Sequence, residues 1–176
     1  MPVPPITLEQ TFQVRSRPDV LFRLVADPKR RIRWDKSFQQ YAYVNEEKLE
    51  RGSQVKIRLA TRMGGLRFPA KYTQLNAPQR FTLESEKGSW AVDKFEQSWS
   101  FKPIPGGSEV SFKQTVVPRL RIGSRYIERL AQGMFGETIL GLQRQVDSQA
   151  ASSMEELSKE LAERARKERR QKRGRR

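Results

Sequence analysis

The sequence contains no cysteine and no histidine among its 176 residues. Without cysteine the chain forms neither disulfides nor thiolate metal sites, so packing alone must hold the fold, as reducing compartments permit. Without histidine it lacks the usual general base of hydrolases and the commonest transition-metal ligand. The sequence therefore excludes Ser-His and Cys-His catalysis, predicts that no metal or cofactor is bound, and leaves acid-base chemistry to Asp, Glu, Lys, Arg or Tyr.

Long apolar runs are also missing. No stretch approaches the roughly 18 consecutive apolar residues of a membrane-spanning helix, and the N-terminal MPVPPITLEQ has no basic and apolar leader. We therefore expect a cytoplasmic protein. The length suits one sizeable core, with residues 1–151 as a single domain and 152–176 as a basic extension that is helical and then disordered near Lys172.

Positive charge is abundant, and it is concentrated at the end of the chain. The net charge is +15, from 35 Lys and Arg against 20 Asp and Glu. Residues 164–176 hold nine basic side chains and one acidic, which is +8 and leaves +7 for the rest. This end is a salt-sensitive, non-specific tether to an anionic membrane or RNA, a solubilising or poorly ordered end, or a specific nucleic-acid contact. The candidate polyanion-binding residues there and around the second helix are Lys29, Arg30, Arg31, Arg33, Arg164, Arg166, Lys167, Arg169, Arg170, Lys172, Arg173, Arg175 and Arg176.

The order of hydrophobic patterns predicts an α+β fold. Residues 6–14 alternate as a half-buried strand, and two short helices follow, one capped by Ser16 and one by Asp27 with Pro28 at its first position. Residues 37–117 keep a period of about two, with turn signals between the runs, which predicts an antiparallel meander of about six strands. We expect a curved sheet of about seven strands wrapped around a long C-terminal helix.

Parity fixes the register of the last hairpin. If residues 104–107 make the turn, the numbers of opposed residues sum to 211, and eight side chains share one face. A slip of one residue would mix polar and apolar side chains on that face, so the pattern favours this register or one shifted by two residues. The predicted pairs are Phe101 with Val110, Trp99 with Phe112, Gln97 with Gln114 and Phe95 with Val116.

A long helix is predicted after Gly123-Ser124. It contains three glycines that weaken a helix, Gly133, Gly136 and Gly141, which either allow close packing on the sheet or leave room for a ligand. Ser153 and Glu156 resemble a capping box at the start of the extension. The apolar face of the helix carries Ile127, Leu130, Met134, Leu142 and Val146.

The inward face of the sheet supplies the candidate ligand-binding residues. Gln97 and Gln114 are amides on an otherwise apolar face, and they either satisfy one another or nearby backbone groups, or anchor a ligand. Trp34 is expected to plug the core beside a locally paired Asp35, and Asp93 to lie at a solvated strand end. The full candidate set is Val55, Ile57, Leu59, Phe68, Tyr72, Phe81, Leu83, Phe95, Gln97, Trp99, Phe101, Phe112, Gln114, Ile127, Leu130 and Met134, with no catalytic residue assigned.

The sequence of elements, with Trp34-Asp35 after the second helix and Trp99-Ser100-Phe101 before Pro105-Gly106-Gly107, resembles the START (SRPBCC) helix-grip superfamily. Within it the chain is most similar to the bacterial polyketide cyclase/dehydrase and lipid-transport group, over residues 6–150. The resemblance implies a tunnel between sheet and helix for a lipid, isoprenoid or polyketide-like molecule, bound without catalysis. The alternatives are a cyclase or aromatase acting without His or Cys, and a ribosome- or RNA-associated interaction protein.

Overall fold

A computed structural model of the chain describes residues 3–45 and 48–173, with side chains as far as 171. Seven antiparallel strands form one curved sheet in the order β1-β7-β6-β5-β4-β3-β2. The strands are β1 (Ile6–Val14), β2 (Phe38–Tyr43), β3 (Gln54–Leu59), β4 (Arg67–Asn76), β5 (Arg80–Ser85), β6 (Val92–Ile104) and β7 (Gly107–Pro118). The helices are α1 (Pro18–Ala26), α2 (Pro28–Trp34) and α3 (Ser124–Arg173), with a 3-10 turn at Thr61–Met63.

The predicted order of elements is confirmed, including the meander from β2 to β7. The hairpin of β6 and β7 also has the predicted register, since Trp99 faces Phe112 and Gln97 faces Gln114 around a turn closed by Ile104 and Gly107. The pattern could decide this because a one-residue slip would have mixed polar and apolar side chains on the inward face. This register places the two glutamines side by side in the interior.

The junction between α1 and α2 has one confirmed cap and one that was wrong. Asp27 caps α2, because its side chain accepts a hydrogen bond from the Lys29 backbone N–H at 3.0 Å. Ser16 does not cap α1: the helix begins at Pro18, so Arg17 occupies the cap position, and its side chain makes no capping hydrogen bond. Pro18 sets the helical φ of the first turn and has no N–H to satisfy there, which reduces the need for a cap.

The first half of α3 packs on the inner face of the sheet and the second half stands free. Its buried side chains recur at helical spacing from Ala131 to Val146. Residues 147–171 are all exposed, and the helix from 147 to 173 extends about 40 Å from the domain. Ser153 lies inside the continuous helix, where its hydroxyl donates to the Gln149 carbonyl at 3.0 Å, so the predicted capping box is wrong.

The three glycines of α3 have different surroundings. A Cβ at Gly141 would lie 3.3 Å from the Trp34 ring and from the Trp34 carbonyl, whereas a Cβ at Gly133 or Gly136 would meet nothing within 4 Å. Close packing against α2 therefore explains Gly141, and the buried Trp34 is the core plug that the sequence predicted. Close packing does not explain the other two glycines.

Replacing Gly133 by alanine should therefore stabilise the protein. Alanine gains about 1 kcal/mol over glycine inside an exposed helix, and no neighbour obstructs the new methyl group. Gly141→Ala is the matched control, because its methyl group would press on Trp34 and offset that gain. Urea unfolding measures both variants, and equal gains would contradict the packing assigned to Gly141.

Candidate functional site

Arg31 lies at the centre of a buried polar chain. Its Nε donates to Asp35 Oδ2 at 3.1 Å and its Nη2 donates to Gln97 Oε1 at 2.6 Å. All three side chains are fully buried. The guanidinium carbon also lies 4.8 Å from the ring centroid of Phe38 and 5.4 Å from that of Trp99, so aromatic faces provide further cation-π stabilisation.

The polar chain begins and ends on α3. On one side, the Thr138 hydroxyl donates to the Asp35 carboxylate at 3.2 Å. On the other, Gln97 Nε2 donates to Gln114 Oε1 at 3.0 Å, and Gln114 Nε2 donates to the Ala131 carbonyl at 3.2 Å. The hydrogen bonds therefore run from α3 through α2, β6 and β7 back to α3, and they join the helix to the sheet across the interior.

This arrangement settles the environment of the two glutamines. Each amide is engaged by a protein partner, so the interpretation in which the pair satisfies itself and nearby backbone describes the structure, with Arg31 as an additional partner. The predicted local pairing of Asp35 is also confirmed. Arg31 Nη1 and Trp99 Nε1 remain as buried donors without a partner among the described residues. An oxygen acceptor reaching either would relieve the cost of an unmade hydrogen bond.

A second buried polar group joins Tyr72 to α1. The Tyr72 hydroxyl donates to the Ala26 carbonyl at 2.5 Å and lies 2.5 Å from the Tyr41 hydroxyl. Because the single proton of Tyr72 goes to Ala26, Tyr41 must donate to Tyr72. Burial raises the pKa of Tyr41, and burial followed by the neighbouring Tyr41 raises the pKa of Tyr72 well above its ordinary value.

The tyrosine pair predicts a loss of stability in alkali. Below about pH 10 both phenols are neutral in the folded and unfolded chains, so their contribution is complete. Above about pH 10 the unfolded chain releases these protons and the folded chain keeps them, so the free energy of unfolding falls as pH rises. Tyr41→Phe should reduce this slope by up to about 1.4 kcal/mol per pH unit in urea unfolding between pH 8 and 11.5.

Tyr126→Phe, at an exposed position, is the matched control for that series. An alkaline slope that does not change in Tyr41→Phe would contradict the raised pKa of Tyr41.

The middle of the interior is filled by stacked rings. The Trp99 and Phe112 centroids lie 3.9 Å apart, and those of Phe112 and Phe135 lie 4.7 Å apart. Phe22, on α1, contacts the rings of Phe81 and Phe101 edge-on. These aromatic side chains and the polar chain together occupy the region between α1, α2 and the central strands.

A small cavity remains nearer the start of α3. Its volume is about 30 Å³, close to the space of one water molecule. Eleven apolar side chains and one amide line it: Leu59, Met63, Leu66, Phe68, Val92, Phe95, Gln114, Val116, Ile127, Leu130, Ala131 and Met134. Among the described residues, no ionisable side chain lines this cavity.

An outer groove of about 150 Å³ lies beside the cavity. Leu66, Ile127 and Leu130 line both spaces, so the cavity and the groove adjoin at these three side chains. The remaining groove residues are Gly64, Trp90, Ala91, Leu120, Ile122, Gly123 and Tyr126. Movement of these side chains would join the cavity to the groove.

Seven of the candidate ligand-binding residues line the cavity: Leu59, Phe68, Phe95, Gln114, Ile127, Leu130 and Met134. The others lie in the packed interior away from the lining: Val55, Ile57, Tyr72, Phe81, Leu83, Gln97, Trp99, Phe101 and Phe112. Sequence reasoning missed Met63, Leu66, Val92, Val116 and Ala131. Val116 and Ala131 could have been predicted, because Val116 has the parity of Gln114 and Ala131 lies one residue after Leu130. Met63 and Leu66 could not, because they flank a glycine turn that has no periodic pattern.

One predicted surface cation was placed wrongly. Arg31 is fully buried, so it does not belong to an exposed cluster with Lys29, Arg30 and Arg33. The seven-residue α2 buries one face, formed by Pro28, Arg31 and Trp34 at intervals of three. Arg175 and Arg176 of the predicted set lie outside the described residues, as do the side chains of Lys172 and Arg173, while those from Arg164 to Arg170 are exposed.

Asp93, the other acidic candidate near the rim, is exposed and pairs with Arg119 at 2.8 Å. A register irregularity between Val92 and Lys94 turns it outward although its number has the parity of Phe95. The solvated strand end that the sequence predicted is therefore confirmed.

The sheet, the two short helices and the long α3 together form a helix-grip fold. The family model described as "Polyketide cyclase / dehydrase and lipid transport" matches residues 5–147. The chain belongs to this family. No curated protein has a sequence that significantly matches this chain.

Solved structures share the fold at low sequence identity. A START superfamily protein from Mycobacterium smegmatis is 16% identical, with a TM-score of 0.66, over 81% of this chain and 97% of that one. The Zhui aromatase/cyclase from Streptomyces sp. R1128 is 10% identical, with a TM-score of 0.67, over 84% and 94%. A protein from Thermus thermophilus is 16% identical with a TM-score of 0.67, over 82% and 98%.

Within the described part of the chain, no helix is long and apolar enough to cross a membrane.

Proposed function

We propose that this protein binds an apolar small molecule, such as a lipid, an isoprenoid or a polyketide-like chain, between the sheet and α3 without transforming it. The lining of the cavity carries the proposal, since it is apolar apart from Gln114. Ligand pockets combine such walls with a few placed polar groups. The lipid-transport members included in the family description support a carrier role.

The lining also favours binding over catalysis. Cyclisation needs groups that hold or move protons at the reacting atoms, and the described cavity residues include no acid or base. The ionisable groups of the interior are committed elsewhere: Asp35 to Arg31 and Thr138, and the two buried tyrosines to each other and Ala26. Their burial and mutual hydrogen bonds hold the fold and leave no proton-transfer partner at the cavity.

Ligand entry requires the cavity to expand, because about 30 Å³ is roughly a tenth of the smallest usual ligand pocket. The boundary with the outer groove is the place for this movement, since Leu66, Ile127 and Leu130 line both spaces. The first turns of α3 follow Gly123, whose φ of +87° gives a left-handed bend that glycine adopts without strain. A shift of these turns away from Leu66 would merge the cavity with the groove.

A titration with Nile red tests this proposal. The dye is apolar and uncharged, so the +15 charge of the protein does not attract it electrostatically. We expect saturable, blue-shifted emission with one dye per chain, and competition by fatty acids or isoprenoids. Emission that does not saturate, or that no apolar competitor displaces, would contradict a defined site. Chemical change of a bound polyketide-like substrate would instead support the cyclase alternative.

A further inference from the structure

Four large apolar side chains are exposed together around the outer groove. The exposed fractions are 76% for Trp90, 66% for Leu120, 94% for Ile122 and 62% for Tyr126. All four line the groove. Single exposed apolar residues are common on proteins, but a contiguous group of this kind marks an interaction surface.

This patch is built from three neighbouring segments. Trp90 precedes β6, Leu120 and Ile122 lie between β7 and α3, and Tyr126 is in the first turn of α3. The segments are tied together, since the Arg119 backbone N–H donates to the Ala91 carbonyl at 2.9 Å. The Arg119 side chain also pairs with Asp93 at 2.8 Å. The four side chains therefore belong to one surface held by the fold.

Positive charge lies close to the patch along the chain. Residues 119–129 contain four arginines and one glutamate. Arg121 and Arg125 are exposed, and within the described residues neither forms an ion pair. Two exposed, unpaired cations therefore alternate in sequence with the exposed apolar side chains of Leu120, Ile122 and Tyr126.

We propose that this patch docks on the headgroup layer of an anionic phospholipid bilayer. Tryptophan and tyrosine favour the membrane interface, and each arginine near an anionic surface strengthens binding about five-fold. A second copy fits this face poorly, because pairing it with itself would bring its unpaired arginines together. The suggested purpose rests on the proposed function: docking would turn the cavity entrance toward a membrane from which an apolar ligand enters.

Trp90 provides a built-in probe of the proposed contact. The chain has three tryptophans, and Trp34 and Trp99 are only 5% and 1% exposed. Vesicles of phosphatidylcholine mixed with phosphatidylserine, an anionic lipid of the cytoplasmic leaflet, should shift the Trp90 emission to the blue and protect it from iodide. Phosphatidylcholine vesicles alone should cause a much smaller change, and Trp90→Phe should lose the shift while still binding in a flotation assay.

Variants separate this patch from the basic end of α3. Arg121→Gln with Arg125→Gln should weaken flotation by more than tenfold, and Ile122→Ser should weaken it by about tenfold. Met154→Ser, on the exposed extension, is the matched control for Ile122→Ser. Replacing Arg166, Lys167, Arg169 and Arg170 by glutamine should leave the Trp90 shift intact.

Vesicle binding without a change in Trp90 emission would overturn the proposal, because it would assign the contact to the basic extension. The proposal would also be overturned if the protein did not bind the vesicles, or if the patch bound an acidic protein or RNA instead. Because docking is measured on ligand-free protein, its failure would leave the Nile red titration of the cavity unaffected. The reverse also holds.

Discussion

Replacing Arg31 by methionine should lower the free energy of unfolding by about 3–5 kcal/mol. Methionine keeps much of the side-chain volume but leaves the fully buried Asp35 carboxylate without its cation. Gln97 would lose its donor at the same time. Removing one partner of a buried ion pair is costly because the other charge remains away from water. Urea unfolding monitored by circular dichroism measures the loss.

Two further variants make this expectation specific. Arg33→Met lies in the same helix at an exposed position, so it should change stability by no more than about 0.5 kcal/mol. Arg31→Met combined with Asp35→Leu should recover part of the loss, because no unpaired charge then remains. Equal effects of the Arg31 and Arg33 substitutions would contradict a buried role for Arg31.

Replacing Ala131 by leucine should weaken Nile red binding by at least about tenfold. The three added carbons take apolar contacts that the dye would otherwise make, and the cavity has no spare space for both. Ala131 is 6% exposed and lines the cavity of about 30 Å³. The larger side chain would occupy the place that a ligand must take. The substitution should cost about 1–3 kcal/mol of stability at most, which still permits the titration.

Ala150→Leu is the matched control for this experiment, because Ala150 lies on the exposed part of α3. It should leave Nile red binding unchanged. Equal dye binding by wild type, Ala131→Leu and Ala150→Leu would place the dye elsewhere and contradict the assigned cavity.

The sheet was predictable because strand pairing follows a local pattern. A period of two along β6 and β7 identified their inward face, and parity then fixed the pairing of Trp99 with Phe112. The Asp27 cap was predictable for the same reason, because the signal is local. An Asp before a helix accepts a hydrogen bond from a backbone N–H of the first turn, and proline is favoured at the first helical position.

The polar interior was not predictable from those patterns. Arg31 is one of five cations within eight positions, and nothing local distinguishes the buried one from its exposed neighbours. Its partner Gln97 is distant in sequence, so their contact depends on how α2 sits on β6. The position of the free volume was equally unpredictable, because inward aromatic side chains can either line a cavity or fill it. In the structure, Trp99 and Phe112 stack and fill the middle of the interior, whereas Phe95 lines the cavity.

Native mass spectrometry of protein incubated with a mixed lipid extract tests the central claim most directly. The account predicts one apolar adduct per chain on the wild type and on Ala150→Leu, removable by solvent extraction, and little or none on Ala131→Leu. An adduct of equal abundance on all three proteins, or no adduct on any of them after exposure to lipids, isoprenoids and polyketide-like chains, would contradict a ligand cavity between the sheet and α3.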